Sequence, residues 1–168
     1  MEIWAGGNCK MAIWFTADTH FSHDNIIKYC NRPFKDSSEM NEKMIKNWNA
    51  VVQPDDTVFH IGDFSMRSLF KKFKERLMGN IILISGNHDG ESPIHSIFIE
   101  NYGKMWHLVH NPEEAELDFN ICGHVHGAWK LNKIDDKIIY NCGVDVNSFK
   151  PVSMKQIVKA IRKEYGGI

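Results

Sequence analysis

Residues 57–89 read TVFHIGDFSMRSLFKKFKERLMGNIILISGNHD, and the fold turns on how this stretch is read. Thr57–Ile61 is a short run of β-branched and aromatic residues, the signature of a strand. Leu69, Phe70, Phe73 and Leu77 then recur at helical spacing, and Gly79 closes the helix. Ile81–Ser85 is a continuous apolar run, as in a strand buried on both faces. A strand, a helix and a second strand in so short a span form a right-handed crossover between parallel strands. Both strands stop on polar residues, Gly62-Asp63 and Gly86-Asn87-His88-Asp89.

The pattern continues in both directions. Ala12–Ala17 is a further buried strand, and it stops at Asp18-Thr19-His20. Asp36 with Glu39 resembles a capping box, and Met40, Met44, Trp48, Val51 and Val52 share one face of the helix that follows. Towards the C-terminus, strands are expected at about Met105–His110, Asp118–Cys122 and Lys137–Cys142. A last helix starts at Ser153, capped by Gln156, with Ile157, Val158 and Ile161 inward. The fold class expected is α/β, a sandwich of two β-sheets with helices outside. One domain spans 11–168. Residues 1–10 (MEIWAGGNCK) carry no clear period and are read as an extension, native or left by cloning.

Bulk properties narrow the function. The 168 residues suffice for one domain with a real core, and 43% hydrophobic with 24% charged residues is an ordinary globular balance. Lys and Arg total 20 against 21 Asp and Glu, so a chain-wide basic surface for nucleic acid is not favoured. No apolar run approaches the roughly 20 residues that span a bilayer, and no signal peptide is visible. The four cysteines, Cys9, Cys30, Cys122 and Cys142, form no C-x-x-C pair and are read as reduced thiols of a cytoplasmic protein. Oligomeric state leaves no trace in the sequence.

Chemistry-bearing side chains gather where strands end. Besides the groups above, one strand ends at His110 and the next at Gly123-His124-Val125-His126. Ligands of open α/β sheets bind outside the carboxyl ends of the strands. Five segments thus deliver Asp, His and Asn to one edge. Residues two apart in extended chain share a face, so His124 and His126 can reach a common point. Mixed oxygen and imidazole donors suit a divalent ion; Mn, Fe, Zn, Ni, Co and Mg all fit. Each motif alone is weak, but the ordered set is specific.

The set Asp18-x-His20, Gly62-Asp63, Gly86-Asn87-His88-Asp89, His110 and Gly123-His124-x-His126 resembles the calcineurin-like metallophosphoesterase superfamily, most of all its small stand-alone bacterial and phage members. The likeness extends to Cys30-Asn31-Arg32-Pro33-Phe34 and Gly143-Val144-Asp145-Val146-Asn147. It implies a four-layer αββα sandwich and hydrolysis of phosphate esters by a hydroxide activated at two metal ions. Asp18, His20 and His126 would hold the first ion, Asn87, His110 and His124 the second, and Asp63 would bridge them. His88 would protonate the leaving group, with Asp89 a candidate to orient its ring. The phosphoprotein phosphatases of the superfamily carry G-D-x-x-D-R-G, whose second Asp supports the catalytic His. Met66 stands in that place here, so a protein phosphatase is not expected.

The resemblance points to a small phosphorylated substrate, such as a nucleotide derivative. A nuclease is the alternative, and it would need a basic groove. A non-catalytic scaffold is a third reading, disfavoured by the complete ligand set. His23, Asn25, Arg32 and Arg67 are candidate substrate contacts, with solvated loop or helix positions the competing reading. His60, in mid-strand, is read as packed or supporting, and His95 and His107 as ordinary. Trp129 is either a stacking platform or core. Asp145 and Asn147 either line the same edge or make a turn. The run Lys71–Arg76 is read as the solvated face of a helix, with a patch for a phosphate backbone the competing reading.

Overall fold

The computed structural model describes residues 11–66, 69–89 and 92–166; the expected extension 1–10 and Arg67 lie outside them. Nine strands and four helices are described: β1 (Ile13–Thr16), α1 (Asp24–Tyr29), α2 (Ser37–Asn49), β2 (Thr57–Ile61), α3 (Phe70–Lys74), β3 (Asn80–Ile84), β4 (Ser96–Asn101), β5 (Lys104–Val109), β6 (Phe119–Cys122), β7 (Leu131–Ile134), β8 (Lys137–Asn141), β9 (Val152–Ser153) and α4 (Met154–Tyr165). They form two mixed sheets, of order β3-β2-β1-β9 and β4-β5-β6-β8-β7. The expected α/β sandwich is the fold observed. β1, β2 and β3 are parallel, as the crossover rule requires, and β9 runs antiparallel to β1.

Alternation along the strands builds the layers. Phe15, Phe59, Ile61 and Ile84 point between the sheets, where they meet Trp106, Leu108, Ile121 and Tyr140. Ile157, Val158 and Ile161 of α4 join this core. Trp14, Val58, Ile81 and Leu83 point the other way, under Ile26 of α1, Met40, Met44 and Trp48 of α2, and Phe73 of α3. The outer face of the second sheet has a thinner cover. There Cys122 and Ile139 pack with Ala115 and Trp129, beside the 3-10 turn Pro112–Glu114. Trp129 is therefore a packing residue, and Cys122 and Cys142 are buried small residues.

Local chemistry explains the differences from expectation. Asp36 caps α2 by accepting from Glu39 N–H, but the Glu39 carboxylate accepts from Lys35 N–H, so the box is not reciprocal. The box at Ser153 and Gln156 is complete. α3 is short because its hydrogen bonds tighten to i−3 beyond it, and Leu77 is buried through those turns. Its basic run faces water, with Arg76 paired to Glu42. β4, β7, β9 and α1 were not foreseen. β4–β5 and β7–β8 are hairpins with two-residue turns at Tyr102-Gly103 and Asp135-Asp136, all four with positive φ, as tight hairpin turns demand. Tyr-Gly and Asp-Asp are weaker turn signals than Asn-Gly. Among the described residues no helix is long and apolar enough to cross a membrane.

Candidate metal centre

All the strand-end segments converge at the carboxyl ends of β1, β2, β3, β5 and β6. Backbone bonds carry each sheet's strand pairing on into these loops. Asp18 N–H donates to Gly62 O (3.0 Å), His20 N–H to Asp63 O (3.0 Å) and Gly123 N–H to His110 O (3.1 Å). Ala17 bridges Gly143 across the sheets. Asp18, His20, Asp63, His124 and His126 all have left-handed backbones, with φ of 57°, 47°, 58°, 69° and 47°. For residues with a Cβ this conformation costs roughly 1–2 kcal/mol each. Five strained residues in one cluster mark a place where the surrounding packing holds side chains in an imposed geometry. The glycines let the segments approach. A Cβ on Gly86 would strike the Asp63 carboxylate, and one on Gly62 (φ 83°) would strike the His110 ring.

Two overlapping donor groups result. Asp18, His20 and His126 have donor atoms within 4.8 Å of one another, and so do Asp18, Asp63 and His110. Asp18 accepts from His124 N–H through Oδ1 (3.0 Å), while its Oδ2 is buried without a hydrogen-bond partner among the described residues. His20 Nε2 is orphaned in the same way. Buried polar atoms are rarely left unpaired, and two side by side call for a cation. Asp63 stands between a histidine of each group: Oδ2 is 3.4 Å from His20 Nε2 and 3.5 Å from His110 Nε2, and Oδ1 accepts from His88 N–H (2.9 Å). His110 donates Nδ1–H to Ile61 O (2.9 Å), which turns Nε2 towards Asp63 and Asn87 Oδ1 (3.0 Å). His124 Nδ1 also meets Asn87 Oδ1 (3.2 Å). The seven residues expected from the sequence are thus brought together, with a donor chemistry that fits divalent ions.

Electrostatics point the same way. Burial pushes the Asp18 carboxyl up to about 6, against the pull of His126 and His110. Burial would also raise Asp63, but the hydrogen bond and charge of His110 and the His88 N–H outweigh it and hold the carboxyl well below the usual range. Burial would lower His110, yet the Asp63 hydrogen bond and the Asp18 charge carry it up to about 9. Burial drives His20 down to about 3. A metal-free site therefore keeps a proton on His110 between oxygen acceptors, where a cation can take the proton's place.

Supporting residues behind the centre were only partly legible. His126 donates Nδ1–H to Asp145 Oδ2 (3.0 Å), which frees Nε2 for the centre. Burial would lower the His126 pKa, but Asp145 raises it. Arg32 grips both oxygens of Asp145, Nε to Oδ1 and Nη2 to Oδ2, each at 2.8 Å. The same guanidinium donates to Asp18 O (2.7 Å) and Thr19 O (3.1 Å). Arg32 is only 4% exposed, so the expectation of a substrate contact is corrected: its donors are spent inside the fold. Cys30 lies beside His126 and Asp145, but burial first, then Asp145, pushes its thiol up to about 11. Asn141 donates to His126 O and Trp129 O, both at 2.8 Å, and Asn147 donates to Asn141 O and Gly143 O. Asn147 therefore braces a turn.

His60 supports rather than ligates. The Thr19 hydroxyl donates to Phe64 O (2.7 Å) and so accepts from His60 Nε2–H (2.9 Å). Asp89 does not orient the His88 ring. Its carboxylate accepts from the N–H groups of Asp63 (2.6 Å), Phe64 (2.7 Å) and Gly86 (2.9 Å), pinning the β2 and β3 loops together.

At the mouth, the exposed His88 ring meets His20 edge-on at 5.4 Å, and His23 meets His20 at 5.5 Å. His23 caps α1 by accepting from Ile26 N–H. His23 and Asn25 line a cleft of about 460 Å³ with Ser22, Asp24, Met66 and Leu69. A second cleft of about 470 Å³ opens on the Asn87–His110–His124 side, and His95 is on its wall.

Comparison with known proteins agrees with this geometry. The profile of the calcineurin-like phosphoesterases matches residues 11–154. The uncharacterized protein MJ1445 of Methanocaldococcus jannaschii is 40% identical over 163 residues, covering 90% of this chain and 92% of its own. The gene 66 protein of Mycobacterium phage L5 is 34% identical over 109 residues, covering 61% of this chain and 51% of its own. The crystal structure of AQ665, a protein of unknown function from Aquifex aeolicus, superposes with a TM-score of 0.73 at 27% identity, covering 90% of this chain and all of that one. Ligand chemistry, fold and sequence profile together make this chain a member of the calcineurin-like phosphoesterase family.

Proposed function

We propose that the chain hydrolyses a small phosphate ester, diester or monoester, at a centre that holds two divalent ions. The observation that carries this reading is the place of Asp63 Oδ2, nearly equidistant from His20 Nε2 (3.4 Å) and His110 Nε2 (3.5 Å). One carboxylate oxygen set between a histidine from each ligand set is the arrangement that would let a bridging ligand serve two cations.

In this reading Asp18, His20 and His126 hold one ion, Asn87, His110 and His124 the other, and Asp63 both. Divalent ions bound there supply Lewis acidity and lower the pKa of a water towards neutrality. The chain does the rest. Asp89 fixes the backbone of Asp63 and Gly86, so the bridging carboxylate cannot swing. Asp145 holds His126 in the tautomer that leaves Nε2 free. His88, at the mouth and held through its own N–H to Asp63, is placed to give a proton to the leaving oxygen.

The test is to strip the protein with a chelator, reload it with Mn²⁺, and assay a bis-aryl phosphodiester and an aryl monoester. Turnover should vanish on stripping and return with close to two equivalents of metal per chain. Undiminished turnover of the metal-free protein would overturn the reading.

A further inference from the structure

We propose that the 470 Å³ cleft on the Asn87 side is the subsite for one alcohol moiety of the substrate, and that Glu114 makes it select an uncharged, hydroxyl- or amine-bearing group over one carrying a second anion. This rests on the reading of the centre as a phosphoesterase site and names the substrate class within it.

The cleft is lined by Ser85, Gly86, Asn87, His95, His110, Asn111, Glu114 and His124. Three of these, Asn87, His110 and His124, are the residues proposed above to hold the second ion. A phosphoryl group held at that ion would therefore lie at the inner end of this cleft, which leaves the cleft for one of its ester substituents. The space accommodates a moiety of roughly sugar or polyol size, since ligand pockets begin near 300 Å³. Its walls include Ser85, whose N–H donates to Ile94 O (2.7 Å), His95, and the 3-10 turn that follows β5. Asn111 caps that turn by accepting from Glu113 N–H (3.1 Å), so Glu114 is presented from a fixed backbone.

Charge decides what fits. The lining contains no Lys or Arg among the described residues, and its one carboxylate is Glu114. A further phosphate or sulfate reaching the Glu114 end of this cleft, away from the ions, would meet a carboxylate with no Lys or Arg of the described lining to pair it. Hydroxyls and amines would find acceptors in Glu114 and the Asn111 side chain, and His95 as donor or acceptor. The same reasoning sets a small diester of neutral alcohols above a polynucleotide, whose next phosphate would enter this space.

The experiment measures binding apart from turnover. The probes are the phosphorothioate diester of two glycerols and the same molecule with a terminal sulfate, titrated calorimetrically into Mn²⁺-loaded protein. The parent should bind the neutral probe at least about tenfold more tightly. Glu114→Lys should shrink or reverse that ratio by about tenfold, and Glu114→Gln should shift it less. Glu164→Lys, the same charge change on α4, should keep the parent ratio. Equal ratios in parent and Glu114→Lys would overturn the proposal, as would equal shifts in both lysine variants. Hydrolysis of an aryl diester, followed in parallel, tests the phosphoesterase reading separately: its loss would remove that reading while the binding ratio still judged the cleft.

Discussion

The two halves of the centre are built differently. The half that carries Asp18, His20 and His126 is sunk in the fold: Asp18 and His20 are buried, and His126 is backed by Asp145 and Arg32. The half that carries Asn87, His110 and His124 faces the large cleft, with Asn87 and His124 exposed and only His110 buried. One half is pre-organised by charge-assisted bonds that span 113 residues of sequence. The other depends on a single ring hydrogen-bonded to Ile61 O and on a carboxylate borrowed from between the halves. Pre-organised sites bind before open ones, so the buried half should fill first and hold its ion longer.

Asp63→Asn should break the comparison outright, because that carboxylate belongs to both halves. Both ions should be weakened and turnover lost by more than about 10⁴-fold, beyond the roughly 10²–10⁴ of a single acid or base. Elemental analysis that finds two full equivalents in the variant would show that Asp63 does not bridge.

His88 belongs to neither half, so His88→Asn should leave both ions in place. Turnover should fall by about 10²–10⁴-fold on alkyl esters, and much less on nitrophenyl esters, whose leaving group needs little protonation. An equal loss on both would make His88 a phosphate-binding group, and loss of metal would make it a ligand.

Asp145→Asn and Arg32→Ala sharpen the contrast, since they touch the buried half alone. Affinity at the first position should drop about 10–100-fold, with the second unchanged, as expected for an outer partner of a metal-bound histidine. Competition against a chelator reads this directly. Equal loss at both positions would mean that the pair serves general stability.

The smallest effect is on pH dependence, and it belongs to the open half. His110 is raised to about 9 without metal, so its proton must leave before an ion binds. Affinity at the second position should rise with pH up to about 9, by at most about tenfold per unit. In the metal-free protein the sign is opposite. The raised His110 contributes stability that is fully present below its ordinary value near 6.5 and lost as pH rises through about 9. Melting temperatures across that window check it.

How much of this was legible differs by element. β1, β2, β3 and α2 could be read because each buries a whole face, and burial writes itself as an apolar run or a helical stripe. β4 and β7 are edge strands of the second sheet, half exposed, with turns lacking the Asn-Gly signature, so their signal was faint. The seven ligand candidates stood out because each ends a strand. Arg32 and Asp145 did not, because a partner 113 residues away leaves no local pattern, and an arginine near a site reads first as a substrate contact. The Cys30–Phe34 and Gly143–Asn147 stretches were the available clue, two motifs without an assigned chemistry that turn out to touch each other. The left-handed backbones had no sequence signal at all, since Asp and His at φ of 47–69° are imposed by the loops around them.

The most direct test of the central claim is a crystal structure of the Mn²⁺-loaded protein with anomalous data at the manganese edge. Two peaks about 3.5–4 Å apart are predicted, the usual spacing of a two-metal site, with Asp63 Oδ2 touching both, His126 on one, His110 on the other and the His88 ring on neither. A single peak, or one coordinated by His88, would contradict the account.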